Sequence, residues 1–399
     1  MTETSRRLMA LVAGTFLMAG AAGVAAQDET DAPPEAEGDV RTKQYDDGGV
    51  YEGTFRDGLQ HGRGTYRLPN GYEYTGEWVD GEIQGEGVAR FPNGSVYEGS
   101  FAKGKPDGVG KITFADGSTY EGTWVEGKIT GQGVAAYANG SRYEGGFRNA
   151  MHHGRGTMTA QDDYVYEGDW VNGVKEGQGT ITYPDGAVYE GAVVRGAREG
   201  KGTLTMPDGL IYDGLWKDGQ IHGEGKLTQP NGDVYEGQFA NGRRQGQGRI
   251  TYANGDVYEG EFQNDRREGQ GTFVGTDGYR YEGEWQDGQR HGQGTATYPD
   301  GAVYVGQFVD GQRHGEGRIE MPDGFTYEGE WAEGRIAGQG IARYPRSNDA
   351  GEVTGYDVYE GQFVDGRRQG EGTMRYATGE EESGDWVNGA LTREEAAAE

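Results

Sequence analysis

"VYEGQFANGRRQGQGRITYANGD" runs from Val234 to Asp256, and from Val257 the chain begins the same phrase again. In an extended segment successive side chains point to opposite faces, so Tyr235, Gly237 and Phe239 share one side and Glu236 and Gln238 the other. Ile250 and Tyr252 alternate in the same way with Arg249 and Thr251. The Asn-Gly of "YANGD" supplies positive φ at little steric cost and reads as a tight hairpin turn. "ANGRRQGQG" reads as a longer loop joining the two strands of one unit at the opposite edge. Each unit is then a β-hairpin. A lone hairpin is marginal in water, so the units are expected to pair edge to edge into a twisted antiparallel sheet.

The unit tyrosine recurs every 23 residues without a slip, from Tyr51 and Tyr74 through Tyr235 and Tyr258 to Tyr304 and Tyr327. The next one, Tyr359, comes after nine extra residues, which places an insertion in "RSNDAGEVTGYD", Arg346 to Asp357. A final degraded unit has Glu382 in the tyrosine place but keeps Gly384 and Trp386, and "RTKQYDDGG" before Tyr51 matches the second half of a unit. These two partial units read as end caps that blunt open sheet edges. Two strands per unit at about 4.8 Å each give about 9.5 Å per repeat and about 130 Å over fourteen repeats.

The consensus Y-E-G-x-[FW]-x-[DN]-G-x-x-x-G-x-G-T-[IL]-T-Y-P-[ND]-G-x-V resembles the MORN repeat (membrane occupation and recognition nexus), whose mark is YEGxWxxGxxxGxGxxxxxxG. The resemblance covers roughly residues 41 to 390. Departures are confined to single units: Val193 stands for Phe or Trp, Ala150 and Asp265 for a turn glycine, and Asp163 for the glycine of the Asn/Asp-Gly pair. The resemblance implies a scaffold, with membrane or phospholipid association, oligomerisation and dimerisation as family properties.

Composition agrees with a thin sheet. There are 78 glycines, 33% hydrophobic residues and 11% aromatic residues, too many aromatics for a disordered Gly-rich chain, and no Gly-X-Y period. A net charge of -29 disfavours nucleic acid and an anionic bilayer as partners of the chain as a whole. Cysteine is absent, which excludes disulfides and thiolate metal sites. Arg6 and Arg7 precede an uncharged stretch, Leu8 to Ala26, that ends in small residues before acidic "QDETD". That pattern is expected of a secretory signal peptide, residues 1–26, cleaved after Ala26, rather than a retained anchor. Residues 27–40 read as an acidic disordered linker, 41–390 as the repeat array with its insertion near 346–357, and 391–399 as a disordered acidic tail.

Three repeated features invite a functional reading. All seven tryptophans, Trp285 and Trp331 among them, share one slot with Phe. The stripe is a hydrophobic spine first, but a single-layer sheet would leave part of it open as a groove for stacking a glycan or a peptide. The glutamate column (Glu236, Glu259, Glu282) lies on the other face. Its members are about 9.5 Å apart, too far to share a calcium ion that needs oxygens at about 2.3–2.6 Å. Basic residues gather along the expected long loop, including Arg243, Arg244, Arg266, Arg267, Arg367 and Arg368, and read either as a solvated edge or as an interaction rim for an anionic polymer, lipid headgroups or a second copy. All six histidines fall in the same expected loop, five of them in one slot before "GxG", without the convergence that a catalytic or zinc site requires.

The sequence thus points to an all-β, elongated single-layer antiparallel solenoid of tandem hairpins. It is expected to be a non-enzymatic, exported scaffold or protein-interaction protein, periplasmic or secreted by a bacterium, with a protein partner or homodimer and no cofactor or metal. The alternative expectation is a module that recognises cell-wall glycan through the aromatic groove. The interaction candidates are the six arginines named above with Trp285 and Trp331.

Overall fold

The computed structural model describes residues 40–392. The expected signal peptide, most of the acidic linker and most of the acidic tail lie outside the described residues. Contacts divide the chain into two units, Met1–Pro207 and Asp208–Glu399. The first holds strands β1 to β15, from β1 (Arg41–Gln44), β2 (Val50–Arg56) and β3 (Leu59–Arg67) to β15 (Ala197–Thr205). The second holds β16 (Ile211–Lys217) to β31 (Ala390–Leu391). Among the described residues there is no helix. Within each unit every strand pairs antiparallel with its neighbours in chain order. Among the described residues no second layer of secondary structure covers either ladder.

The opening stretch becomes β18 (Val234–Ala240) and β19 (Arg243–Thr251), followed by β20 (Val257–Gln263). The expected alternation holds. Tyr235, Phe239 and Ile250 are buried while Glu236, Gln238 and Arg249 are exposed. The pairing Tyr235 to Ile250, Glu236 to Arg249 and Gly237 to Gly248 is broken by a bulge before Phe239, which sits opposite Arg244.

The structure corrects the assignment of the two connections. "RRQGQG" is not a loop but most of a nine-residue strand, and the tight turn is Asn241-Gly242, with φ of 51° and 79°. Two consecutive positive φ values define the type I′ hairpin, whose twist matches that of its flanking strands. "YANGD" is the wider connection. Tyr252 N donates to Asp256 O at 2.8 Å and Gly255 N to Tyr252 O at 2.8 Å, with Gly255 alone at positive φ, 91°. Both turns contain Asn-Gly, so the dipeptide does not say which is shorter. Gly246, at φ 68°, sits in the strand as a bulge residue rather than marking a loop. The same correction moves all six histidines from loops onto strands: His61 on β3, for example, and His152 and His153 on β11 (Met151–Thr159).

The irregular units keep this geometry under strain. Ala150 and Asp265 hold the left-handed turn conformation at φ 60° and 71° without being glycine. Val193 is fully buried in the Phe/Trp slot. The insertion extends the ladder instead of interrupting it. β27 (Arg335–Ser347) and β28 (Val353–Val364) stay paired out to Ser347 and Val353, and an Arg346–Asp357 ion pair closes the added segment.

Candidate functional site

The buried centre of each repeat is a tyrosine lying across two glycines. A Cβ on Gly248 would come within 2.5 Å of Tyr235 Oη, and one on Gly237 within 2.7 Å, so both positions must lack a side chain for the ring to lie flat on the sheet. The ring is anchored at its tip, where Tyr235 Oη donates to Gln238 O at 2.8 Å. Burial pushes the Tyr235 phenol up to about 12, with the Arg244 charge pulling against that rise. Phe239 and Phe262 meet the ring edge-on at 5.0 and 5.1 Å. Away from the ends of the array, the Phe or Trp of a repeat is in turn wedged between two successive tyrosines, as Phe262 is between Tyr235 and Tyr258 and Trp331 between Tyr304 and Tyr327. In the second unit the edge-to-face contacts run unbroken from Tyr212 to Trp386, crossing the insertion by a Tyr327–Phe363 contact of 5.1 Å. In the first unit they run from Tyr51 to Trp170.

This packing replaces the expected open groove. Trp285 and Trp331 are only 6% and 4% exposed, and each indole N–H is spent on a main-chain carbonyl, Gly271 O at 3.1 Å and Gly317 O at 3.0 Å. Neither offers a face for a ligand to stack on. The expectation of an open spine failed because it counted only layers of secondary structure. The rings are covered by one another and by the side chains two residues after each tight turn.

That covering slot holds Ile83, Ile129, His152, Lys175 and Ile221 in some repeats and Arg244, Arg267, Arg290, Arg313 and Arg368 in others. The Arg267 guanidinium lies 4.2 Å from the Trp285 ring centre, Arg313 4.3 Å from Trp331, and Arg368 4.4 Å from Trp386. Each also donates through Nη2 to the carbonyl of the next turn glycine, Gly288, Gly334 and Gly389, at 2.6, 2.7 and 2.6 Å. Burial lowers the Arg267 pKa, and the neighbouring Arg290 and Arg244 charges add to the effect. Arg244 does the same with Asp265 O at 2.8 Å. Arg244, Arg267 and Arg368 are therefore half-buried staples between consecutive hairpins, not a free basic rim. Their partners Arg243, Arg266 and Arg367 point outward and are exposed, with Arg266 paired to Asp287 at 2.5 Å.

The same slot holds two basic side chains whose protonated forms are disfavoured by burial. His152 stacks on Tyr143 at 3.7 Å, has Nε2 2.7 Å from Tyr137 Oη, and keeps a buried Nδ1 without a partner; burial lowers its pKa to about 4. Lys175 sits 4.3 Å over Tyr164 and 4.9 Å over Tyr166 and donates to Tyr164 Oη at 2.7 Å; burial lowers its pKa to about 8. Both are variations on a packing position. On the opposite face a shallow groove of about 680 Å³ is bordered by Arg249, Glu259, Thr272, Arg280 and Glu282, and its charges already answer one another, Arg249 to Glu259 at 3.2 Å and Arg280 to Glu282 at 2.8 Å. Among the described residues no cluster of three or more His, Asp or Glu is placed to hold a metal ion.

The family model for the MORN repeat matches fourteen consecutive segments, from residues 51–71 and 74–96 through 235–257 to 327–348 and 359–381. The chain belongs to the MORN repeat family. Comparison with curated protein sequences yields no match. Among solved structures, the SAS-4 (dCPAP) TCP domain of Drosophila melanogaster is similar at 12% identity, over 53% of this chain and 94% of that one, with a TM-score of 0.26. The TCP10 domain of Danio rerio CPAP is similar at 15% identity, over 62% and 95%, with a TM-score of 0.21. Virginiamycin B lyase from Staphylococcus aureus is similar at 12% identity, over 69% and 91%, with a TM-score of 0.13. Likenesses this remote carry no functional argument.

The MORN segments begin at Tyr51 and end at residue 381, so β1 precedes the first of them and nearly all of β30 (Glu381–Val387) follows the last. Within the array the repeated, chemically capable side chains are absorbed by packing. What is left outward-facing is the variable residue of each hairpin edge, the inserted hairpin with exposed Val353 and Tyr356, and the two strands that bound the array.

Proposed function

We propose that this MORN-repeat chain is a non-enzymatic scaffold that acts by binding protein, including other copies of itself, after export to the periplasm or beyond the cell. One observation carries the reading. The repeat Tyr and Trp, the glycines beneath each tyrosine ring and the covering-slot Arg residues are buried or half-buried parts of one packing scheme. A regular frame built this way presents its variable edge residues at a fixed pitch, which suits assembly better than conversion of a substrate. Export is supported by the basic, apolar and small-residue order of residues 1–26.

The test is fractionation of bacteria expressing the full chain with a C-terminal epitope. The expected result is a periplasmic or secreted protein beginning at Gln27 that migrates on native sizing above the monomer mass of that processed chain, which is itself below the 43.2 kDa of the full sequence. A cytoplasmic, unprocessed monomer would overturn the proposal.

A further inference from the structure

The covering slot changes character along the chain. In the first unit it holds Ile83, Pro106 and Ile129, whereas in the second it holds arginine in four consecutive repeats, Arg244, Arg267, Arg290 and Arg313. The slot lies two residues after the tight turn, so these cations line the tight-turn edge of the aromatic face at about 9.5 Å per repeat. In a chain of net charge -29 they lack what other arginines have. Arg266 and Arg335 ion-pair with Asp287 and Asp365, and Arg249 and Arg280 with Glu259 and Glu282. Among the described residues Arg267, Arg290 and Arg313 make no ion pair; they touch rings, a turn carbonyl and, for Arg290, Tyr279 Oη. Arg244 alone of the four has a carboxylate, Asp265 Oδ1 at 3.4 Å.

A guanidinium presents donors at Nε, Nη1 and Nη2. Nη2 of Arg267 and of Arg313 is spent on Gly288 O and Gly334 O, and their Nη1 and Nε donate to nothing among the described residues. Arg290 spends Nη1 as well, on Tyr279 Oη. The stacked ring and the turn carbonyl fix each group, so a carboxylate can bind without first ordering the side chain. Arg267 is also pressed by the like charges of Arg244 and Arg290. A line of anions at the same pitch would relieve that repulsion.

The chain carries such a line outside the described residues. Residues 27–39, QDETDAPPEAEGD, hold six carboxylates, two prolines and no Lys or Arg. A proline-bearing extended segment favours the polyproline II helix, with about three residues per turn and about 3.1 Å per residue. Every third side chain then faces one way at about 9.3 Å, close to the repeat pitch. Asp28, Asp31, Pro34 and Glu37 form one such line.

We propose that residues 27–39 of a second copy lie along this arginine row, with Asp28 at Arg244, Asp31 at Arg267, Pro34 at Arg290 and Glu37 at Arg313. The uncharged Pro34 then meets Arg290, two of whose nitrogens are already engaged. Asp28 to Glu37 would span about 28 Å in this helix, as Arg244 to Arg313 does along the ladder. The segment joins the chain ahead of β1, and strands β2 to β15 intervene before the second unit begins, which places the donor in another copy. The proposal rests on the scaffold reading and names the self-contact within it.

Sedimentation of the full chain, expressed with its own N-terminus, tests the contact over a range of concentration. The average mass should rise with concentration. Asp28→Asn, Asp31→Asn and Glu37→Gln together should weaken association roughly tenfold. Glu29→Gln, Glu35→Gln and Asp39→Asn together remove the same charge from the other sides of the helix and should weaken it less than about threefold. Neither set touches the array, so neither disturbs its folding. Arg267→Gln with Arg313→Gln should match the first set, and Lys at the same two positions should weaken association less, because the charge is kept. A synthetic peptide of residues 27–39 in excess should return the average mass to that of the monomer. A monomer at every concentration, equal losses from the two carboxylate sets, equal losses from the Gln and Lys pairs, or a mass indifferent to the peptide would overturn the proposal. A monomer that is exported normally would remove this self-contact alone, whereas a cytoplasmic protein would remove the exported-scaffold reading.

Discussion

Adding one methyl group at Gly248 should cost more than the same change at most other glycines in its repeat. Alanine there would place Cβ 2.5 Å from Tyr235 Cε2 and Oη and 2.7 Å from Cζ. Carbon contacts are comfortable at about 3.5–4.0 Å, so the ring would have to withdraw by about 1 Å. It has nowhere to go. Phe239 and Phe262 hold it at 5.0 and 5.1 Å, and its hydroxyl is tied to Gln238 O at 2.8 Å. Overpacking of about 1–3 kcal/mol and one strained hydrogen bond worth about 1 kcal/mol add to about 2–4 kcal/mol. Gly242→Ala is the control. It meets no atom within 4 Å and is penalised only for φ of 79°, about 1–2 kcal/mol. Hydrogen exchange of the β18, β19 and β20 amides reads the difference locally, which matters because a repeat array need not unfold in one step. Gly248→Ala should lower protection there roughly 30- to 1000-fold. In a Tyr235→Leu background, where the ring is gone, the same change should cost under about 1 kcal/mol. Equal costs at Gly248 and Gly242, or an undiminished cost without the ring, would refute the argument.

Four further outcomes follow from the geometry. Ala150→Gly should stabilise its hairpin by about 1 kcal/mol in thermal melts, because Ala150 holds φ of 60° in the left-handed region. His152 is neutral in the fold, with its pKa lowered to about 4 from 6.5. The unfolded chain binds the proton more readily, so stability is full above pH 6.5 and lost as pH falls toward 4, by up to about 3 kcal/mol. His152→Ile, the residue found in the same slot at Ile129, should flatten that dependence in denaturation measured from pH 7 to pH 4. Arg313→Lys should cost about 1–2 kcal/mol, since an ammonium cannot both stack on Trp331 and reach Gly334 O as the guanidinium does. Replacing Arg346–Asp357 by Asn-Gly-Asp restores the regular spacing and should leave the melting temperature within a few degrees, because the Tyr327–Phe363 contact already crosses the insertion at the usual 5.1 Å.

Most of the architecture was legible because a strict 23-residue period forces each residue type to play the same part in every unit. The alternation around Tyr235 and Ile250 sets the faces without reference to anything else in the chain. Turn lengths were misread because glycine has two uses here. Gly246 and Gly248 lie within a strand, one as a bulge at φ 68° and one as the floor under a tyrosine ring, yet in the sequence both resemble loop residues. The arginines were half legible. Their periodicity is plain, and Arg244, six residues before Ile250, shares its buried face while Arg243 faces solvent, but that alternation is hidden when the glycine-rich stretch between them is read as loop. Charge in a packing slot was therefore mistaken for charge on a rim.

The central claim is that the repeated aromatics are interior and that the protein works through its edges. Acrylamide quenching of tryptophan fluorescence tests it most directly, since all seven indoles are at most 6% exposed. Blue-shifted emission is expected, with native quenching far below that of the urea-unfolded chain and unchanged by added envelope glycan. Native quenching as strong as that of the unfolded chain, or a saturable change with glycan, would contradict the account.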